Sequence, residues 1–397
     1  MSDDYLEEKR DHVVCASEIL AQIQEGNPAK YEHVIVEGDL IVSNQCITSP
    51  ITITGSIIKG NIRFEKVVFS ERVDFRDTIF AGETSFMGSY FSQPSEFEGA
   101  RFQESTYFSD MVDKHTCFKE NANFKRTVFR KYVDFSRVEF NRSVEFSSQD
   151  RQKSYNCRSV FKGYTKFSGT IFRGIAHFES CEFENGYIFC WQDVPGKDEE
   201  KLRDILIDLY NINWIKYALI EKIDNKQSIK LSNKENSLLL KLNDEKTEMK
   251  FTINGKDIIM KATLINNKLK IYQNGQFGAI FRGAQFMKEA YFQKTIFNGH
   301  VSFIETRFAE YTDFSNASFL SPTVGVSFAE ASFDGYFTDF KNVLFNGTFG
   351  NFRATKFTGE FVSFRKAKFR NLIDQEIACR KARKQLSNNV NRDEEDH

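Results

Sequence analysis

Phenylalanine punctuates the chain at intervals that neither a helix nor an alternating strand produces. It falls at 64, 69, 75, 80, 86, 91, 97, 102 and 108, with steps alternating five and six. The rhythm resumes at 118, 124, 129, 135, 140 and 146, at 161, 167, 172, 178, 183 and 189, and again from 281 to 319. Periods of 3.6 and 2 both fail to generate it. Two residues before each Phe stands a small or β-branched side chain: Val73, Thr78, Thr84, Ser89, Ser95, Ala100 and Thr106, later Ala122, Thr127, Val133, Val138 and Val144. The spacing predicts a solenoid in which each five- or six-residue unit is one short strand and one turn. Phe and the small residue two before it share a strand face and both point inward. Large beside small is what a narrow close-packed interior requires. Polar pairs such as Arg76-Asp77 and Gly82-Glu83 fall at corners. One coil cannot bury its own Phe, so coils must stack.

The segments FRDTIFAGETSFMGSYF, FKRTVFRKYVDFSRVEF and FRGAQFMKEAYFQKTIFNGHVSF resemble the pentapeptide-repeat family in its Phe-centred variant. The resemblance spans residues 64–189 and 277–369. It implies an all-β fold, a right-handed four-sided β-helix, with twenty residues per coil as the family norm. Alternating fives and sixes instead imply a period of about 22 residues per coil, two of the four corners being one residue longer. A two-sided coil of about 11 residues is the structural alternative, and Phe on every face would overfill it. The resemblance is specific for fold and unspecific for function.

Toward the C-terminus the steps become five and seven, through Phe328, Phe333, Phe340, Phe345, Phe352, Phe357, Phe364 and Phe369. Each longer step holds an additional Phe: Phe337, Phe349 and Phe361. This predicts a longer period, about 24 residues per coil, with Phe337 stacked on Phe361 and Phe349 on another side. The three either fill a wider coil or form an exposed aromatic patch that receives a partner.

The rest of the chain divides around the repeats. Residues 1–30 read as a helical cap, with a helix over 3–25 whose apolar stripe is Leu6, Val13, Ala16, Leu20 and Ile23, stopped by Gly26 and Pro28. Residues 31–192 form the first β-helix block, opening on one or two coils in which Ile and Val replace Phe. Residues 193–276 break the repeat. Short apolar runs at 214–220, 228–231, 237–242, 249–253, 258–263 and 268–272, separated by Asn254-Gly255 and Asn266-Asn267, predict a small inserted antiparallel β-domain. A helix over 202–210 leads into it. The insert is mildly basic, and reads as a solvated β surface or as a recognition module on a rigid mount. Residues 277–370 form the second block. Residues 371–397 read as a C-terminal cap helix, apolar at Leu372, Ile373, Ile377 and Leu386, with a tail. Arg365, Lys366, Lys368, Arg370, Arg380, Lys381, Arg383 and Lys384 make a basic cluster ahead of a terminal RDEEDH. The candidate interaction surface is therefore Phe337, Phe349 and Phe361 with Arg380, Lys381, Arg383 and Lys384.

Charge and composition narrow the function. In 397 residues, 54 Lys and Arg oppose 55 Asp and Glu, a net charge of −1. That argues against a nucleic-acid binder held by a general basic surface. Some pentapeptide-repeat proteins resemble duplex DNA and bind DNA gyrase. Residues 64–189 carry 18 basic and 18 acidic side chains, and residues 281–369 carry 10 and 8, so neither block imitates a polyanion overall. The 42 Phe, against 14 Tyr and 2 Trp, belong to the repeat. No apolar run is long enough to span a membrane, and the N-terminus lacks a signal-peptide pattern. Seven Cys with no CxxC suit a reduced, cytoplasmic compartment.

Candidate chemistry is sparse. His12, His33, His115, His177, His300 and His397 have no His or Cys at metal-ligand spacing. Cys181 occupies a small inward position and reads as a packed thiol; Cys190 faces outward. No GxxxxGK[ST], GxSxG, HExxH or GxGxxG occurs. The expectation is a non-enzymatic scaffold for protein–protein interaction, with no cofactor, no metal and no nucleic-acid partner. Some archaeal proteins with similar Phe-rich repeats and a similar tail continue into a membrane-embedded region. That resemblance implies, as the alternative, the soluble portion of a membrane-associated sensor or channel-like protein, with the C-terminus near a membrane. Capped solenoids of the family often pair end to end, which implies a homodimer as a further expectation.

Overall fold

The structure, a computed structural model, describes residues 12–110, 114–147, 158–184, 277–321, 325–346, 350–370 and 376–380, and strand backbone at 192–193 and within 219–272. The chain separates into two units, Met1–Gly186 with Gly278–His397, and Tyr187–Phe277.

The first unit is a parallel β-solenoid. Its strands fall into four sheets of 11, 12, 10 and 10 strands, so the coil has four sides and the two-sided alternative is excluded. In chain order, face 1 opens at Ala29–Glu32, face 2 at Val34–Glu37, face 3 at Leu40–Ser43 and face 4 at Cys46–Ile47. Ile51, Val73 and Ser95 pair in one ladder, one per coil, at the interval the Phe rhythm predicts. Near the C-terminus Thr338 pairs with Val362 and Leu344 with Lys368, the expected longer interval. The gaps in the Phe rhythm after Phe108 and Phe146 do not interrupt the ladders. Pairing continues beyond them, Tyr90 with Cys117 and Val128 with Val160. The longest break is bridged the same way: the coil leaves face 2 at Phe183 and re-enters face 3 at Ala279, which pairs with Thr165.

The inward assignment holds throughout the repeats. On face 3, Phe86, Phe108, Phe135, Phe167, Phe281, Phe303 and Phe328 are buried and stack in one column, with ring centroids 4.8–5.2 Å apart. Rings of neighbouring columns meet them edge-on, as Phe124 meets Phe108 and Phe135, both at 5.5 Å. Each ring buries the area of a large apolar side chain, about 2–3 kcal/mol apiece, in the offset and edge geometries that ring quadrupoles favour.

The small inward residue does more than fill space. The five-residue corners are tight turns in which the Thr78 and Ser89 amides donate to the Phe75 and Phe86 carbonyls at 3.3 and 3.2 Å. The residue before each lies in the left-handed region, Asp77 at φ 53° and Gly88 at 66°, as a type II turn demands. A hydroxyl immediately after this turn reaches back one coil. Thr78 Oγ1 donates to the Ile53 carbonyl at 2.5 Å, Ser89 Oγ to Phe64 at 2.6 Å and Thr170 Oγ1 to Phe135 at 2.7 Å. Thr and Ser at these positions thus bond successive coils side chain to backbone, inside a buried interior where such groups need partners.

The N-terminal end differs from expectation. The helix spans only Ala16–Gln24 (α1), and His12–Cys15 is a strand (β1) that extends face 2 by pairing with Val34–Glu37. Val13 is exposed there; the buried side chains are Val14, Ala16, Ile19 and Ile23. The β-branched pair at 13–14 satisfies the open edge of face 2, which a helix could not pair. Residues 3–11 of the expected helix lie outside the described residues. Ile and Val do replace Phe in the first two coils, with Val36, Val42, Ile47, Ile51, Ile53 and Ile58 in the core. At the other end residues 376–380 are helical. Here Ala378 is buried and Ile377, expected on the apolar face, is exposed. A methyl side chain lets the helix lie close to its neighbours, and Ile377, one position round, is turned away. Leu372, Ile373 and Leu386 lie outside the described residues.

The second unit holds a seven-stranded antiparallel sheet. Leu219–Ile223, Ser228–Ser232, Ser237–Leu242, Thr247–Ile253, Lys256–Ile265 and Lys268–Tyr272 follow one another as a meander, and Gln192–Asp193 pairs with the last. Residues 202–210 lie outside the described residues.

Candidate functional site

The exterior of a solenoid is a set of ladders. The residue between each small position and its Phe points outward, and strand pairing stacks it on its counterparts at about 4.8 Å. Function must be sought in what those ladders bring together.

The C-terminal end of face 1 carries the aromatic candidates. Phe337 and Phe361 are partners in register, as the lengthened step requires. Both point outward, because Thr338, between Phe337 and Asp339, is the buried member. Phe337 stacks on Tyr311 at 5.9 Å with planes 9° apart. Phe361, 44% exposed, meets Tyr336, 63% exposed, edge-on at 5.3 Å. These two large aromatics lie in mutual contact outside the coil interior. Tyr336 and Tyr311 were absent from the sequence-based candidates. Their signal was there: each immediately precedes or stacks beside an additional Phe, but only the register shows that all four converge. Phe349 lies outside the described residues. Arg365, Lys366, Lys368 and Arg370 are exposed on the last coil. Arg380 is exposed and pairs with Glu376 one helical turn away. Lys381, Arg383 and Lys384 lie outside the described residues.

Farther along face 1 the outward ladder is polar. Asn123, Glu145, His177, Tyr291 and Asp313 stand in successive register. His177 Nδ1 lies 3.0 Å from Glu179 Oε1, and its ring stacks on Tyr291 at 5.2 Å. Burial works against the imidazolium, but the hydrogen bond and charge of Glu179, helped by Glu145, outweigh it and raise the His177 pKa. Glu145 contacts Lys125 Nζ at 3.5 Å and accepts a bond from the Ser147 hydroxyl. The donor atoms of Glu145, His177 and Glu179 all lie within 4.8 Å of one another. No histidine has a His or Cys at metal-ligand spacing along the sequence; this cluster is built instead from carboxylates, one of them a coil away.

In the early coils several acids on and beside face 1 are paired with arginine. Asp74 is held by Arg76 at 2.7 Å and Arg72 at 3.6 Å, and Arg72 also reaches Glu96 at 3.4 Å. Arg126 bridges Glu98 at 3.2 Å and Asp77 at 3.6 Å. These acids carry basic partners, unlike the uncompensated phosphates of a duplex.

The remaining candidates are structural. Cys181 is fully buried with Sγ donating to the Phe146 carbonyl at 3.1 Å, and burial raises its thiol far above the usual range. It takes the place of the Thr hydroxyl in the coil-to-coil bond and is no nucleophile. Cys190 lies outside the described residues. His300 is buried, its Nδ1–H donating to the Gly325 carbonyl at 2.9 Å. No helix among the described residues is long and apolar enough to cross a membrane.

Compared with known proteins, residues 281–323 match the family described as pentapeptide repeats (9 copies). The matched residues are the eighth coil of the solenoid with the end of the seventh and the first part of the ninth. The same ladder register runs through the coils on either side. No curated protein and no solved structure matches the chain.

Proposed function

We propose that this chain, a member of the pentapeptide-repeat family, is a non-enzymatic scaffold whose outer ladders present side chains to a protein partner. The observation that carries the reading is the cluster of Tyr311, Tyr336, Phe337 and Phe361 at the C-terminal end of face 1. Aromatic side chains deliver large contact area at low conformational cost, and they dominate protein interfaces. Lys341, Arg365 and Lys366 lie on the same two coils as Asp339 and Glu360, so the partner surface is apolar at its centre with mixed charge around it. Rigid mounting favours such a surface, since little order remains to be lost on binding. The exposed free thiols of Cys15 and Cys46 suit the reduced, cytoplasmic setting in which a scaffold of this kind would work.

The test is capture of partners from source-cell lysate by the intact chain, by a chain lacking 196–274 joined through a short Gly/Ser linker, and by Tyr336→Ser/Phe361→Ser. The reading expects the partner to survive removal of the insert and to be lost with the aromatic pair. Loss with the insert alone would move recognition to the second unit. Self-association that disappears in the double variant would make the partner a second copy.

A further inference from the structure

We propose that Glu145, His177 and Glu179 form a binding site for a divalent first-row transition-metal ion on face 1 of the solenoid.

The donor set is the first support. One imidazole and two carboxylates are borderline and hard ligands respectively, a combination that suits zinc and its neighbours rather than calcium or magnesium, which take oxygen alone. The second is convergence. Glu145 and His177 are ladder partners on adjacent strands, and Glu179 follows His177 by two, in the turn that closes that strand. Their donor atoms lie within 4.8 Å of one another. Ligands sharing one ion at bonds of about 2.0–2.2 Å sit about 3–4 Å apart, so small rotamer changes close the shell. The third is an unmet need. Glu179 Oε2 is buried and has no hydrogen-bond partner, although its sister Oε1 is bonded to His177. A buried carboxylate oxygen without a donor costs free energy, and a cation in the cluster would supply what that atom lacks.

The surroundings fit the same purpose. All three side chains are about four-fifths buried, each being 20 or 21% exposed. The His177 ring is held by its stack on Tyr291, the kind of orientation that fixes a metal ligand. The Ser147 hydroxyl donates to Glu145 and orients that carboxylate. Lys125 neutralises Glu145 from the solvent side at 3.5 Å and is itself 34% exposed. Its long stem allows the ammonium to retire to water when a cation arrives. Three protein ligands leave at least one coordination position for water or for a side chain of a docked partner. The cluster thus offers a metal-dependent contact that adjoins the aromatic patch, since the Tyr291 ring meets Tyr311 at 5.8 Å.

The experiment uses the full chain, stripped of metal by chelation and titrated with Zn²⁺ and Co²⁺. The expected result is one equivalent bound, with Co²⁺ giving visible d–d bands and no thiolate charge-transfer band. His177→Ala and Glu179→Gln should each weaken binding about tenfold or more while keeping the β-type circular dichroism. Glu179→Gln is nearly isosteric and guards against a folding artefact of the histidine change. Binding unchanged in both variants would overturn the proposal. So would a charge-transfer band, which would place the ion on cysteine, or no saturable binding by the wild-type chain.

Discussion

Phe135 tests the inward assignment most directly. It is fully buried, stacked between Phe108 at 4.8 Å and Phe167 at 5.1 Å, and met edge-on by Phe124, Phe146 and Phe129 at 5.5–5.9 Å. Phe135→Ala removes a ring from a column whose neighbours are held by strand pairing and cannot collapse into the gap, so its cost should be about 3–5 kcal/mol. Phe135→Asp adds a carboxylate with no cationic partner, worth several kcal/mol more after relaxation. The sum approaches the whole stability of a domain, about 5–15 kcal/mol. Coils contact only their neighbours, so the loss should centre on the coils holding Phe108, Phe135 and Phe167. Hydrogen exchange read by mass spectrometry, with thermal melting, would measure it in the wild type and in Phe135→Leu, →Ala, →Asn and →Asp. Protection should fall in that order. The charge contribution is the difference between Asp and Asn. Burial raises the folded-state pKa of the introduced carboxyl above its unfolded value of about 3.9, so the folded state holds more protons. The Asp variant should therefore approach Asn near pH 4 and fall away from it as pH rises. A soluble Phe135→Asp protein with wild-type melting and protection would refute an inward Phe.

His300 gives a pH dependence of its own. Burial lowers its pKa to about 4, so the folded state resists protonation, and stability present above about pH 6.5 should be lost as pH falls toward 4. At about 1.36 kcal/mol per unit the full loss is about 3 kcal/mol; His300→Gln, which keeps a donor for the Gly325 carbonyl, should remove this part of the acid sensitivity in melts between pH 7 and 4.5, and an unchanged acid slope would count against it. Thr170→Val deletes the hydroxyl bonded to the Phe135 carbonyl at 2.7 Å while keeping shape, and should cost about 1 kcal/mol in denaturant melts; no change would mean the coil-to-coil bond is energetically idle. Gly82→Ala would place a Cβ 2.5 Å from the Gly60 carbonyl oxygen and 2.7 Å from its carbon, a backbone neighbour that cannot step aside, and should cost about 1–3 kcal/mol, with melting equal to wild type as the contrary result.

The features legible in the sequence are those the chain repeats. A Phe every five or six residues forces a four-sided coil because fewer sides cannot house the rings, and a change of step from six to seven must lengthen the coil at once. That is why the partnership of Phe337 with Phe361 follows from counting alone. The ends were harder, because an end belongs to no repeat. Val13 looks apolar at helical spacing, yet it pairs with Ile35, since the exposed edge of face 2 competes for a β-branched segment and wins. At the other end Ala378, not Ile377, enters the core. There close approach of the helix matters more than side-chain hydrophobicity.

The cluster at His177 was hidden for a different reason, one that bears on how such solenoids are read. Within a regular block, a residue's neighbour on the next coil stands 22 positions away, as Asn61 does from Asp39. Glu145 and His177 are ladder partners, yet they stand farther apart in sequence, because more residues than in a regular coil separate the strands Val144–Glu145 and Val160–Phe161. Beyond Phe183 the same offset grows past one hundred, as with Ala176 and Ala290. Insertions between strands leave the ladders intact, since strand pairing and the Phe columns fix the register on either side. They do scramble sequence distance, which is the quantity motif spacing relies on. Aligning the coils by their inward Phe first, and reading each outward position as a column second, restores the contacts. On face 1 that reading yields Asn123, Glu145, His177, Tyr291 and Asp313 in order, so the chemistry of this chain lies across its repeats rather than along them.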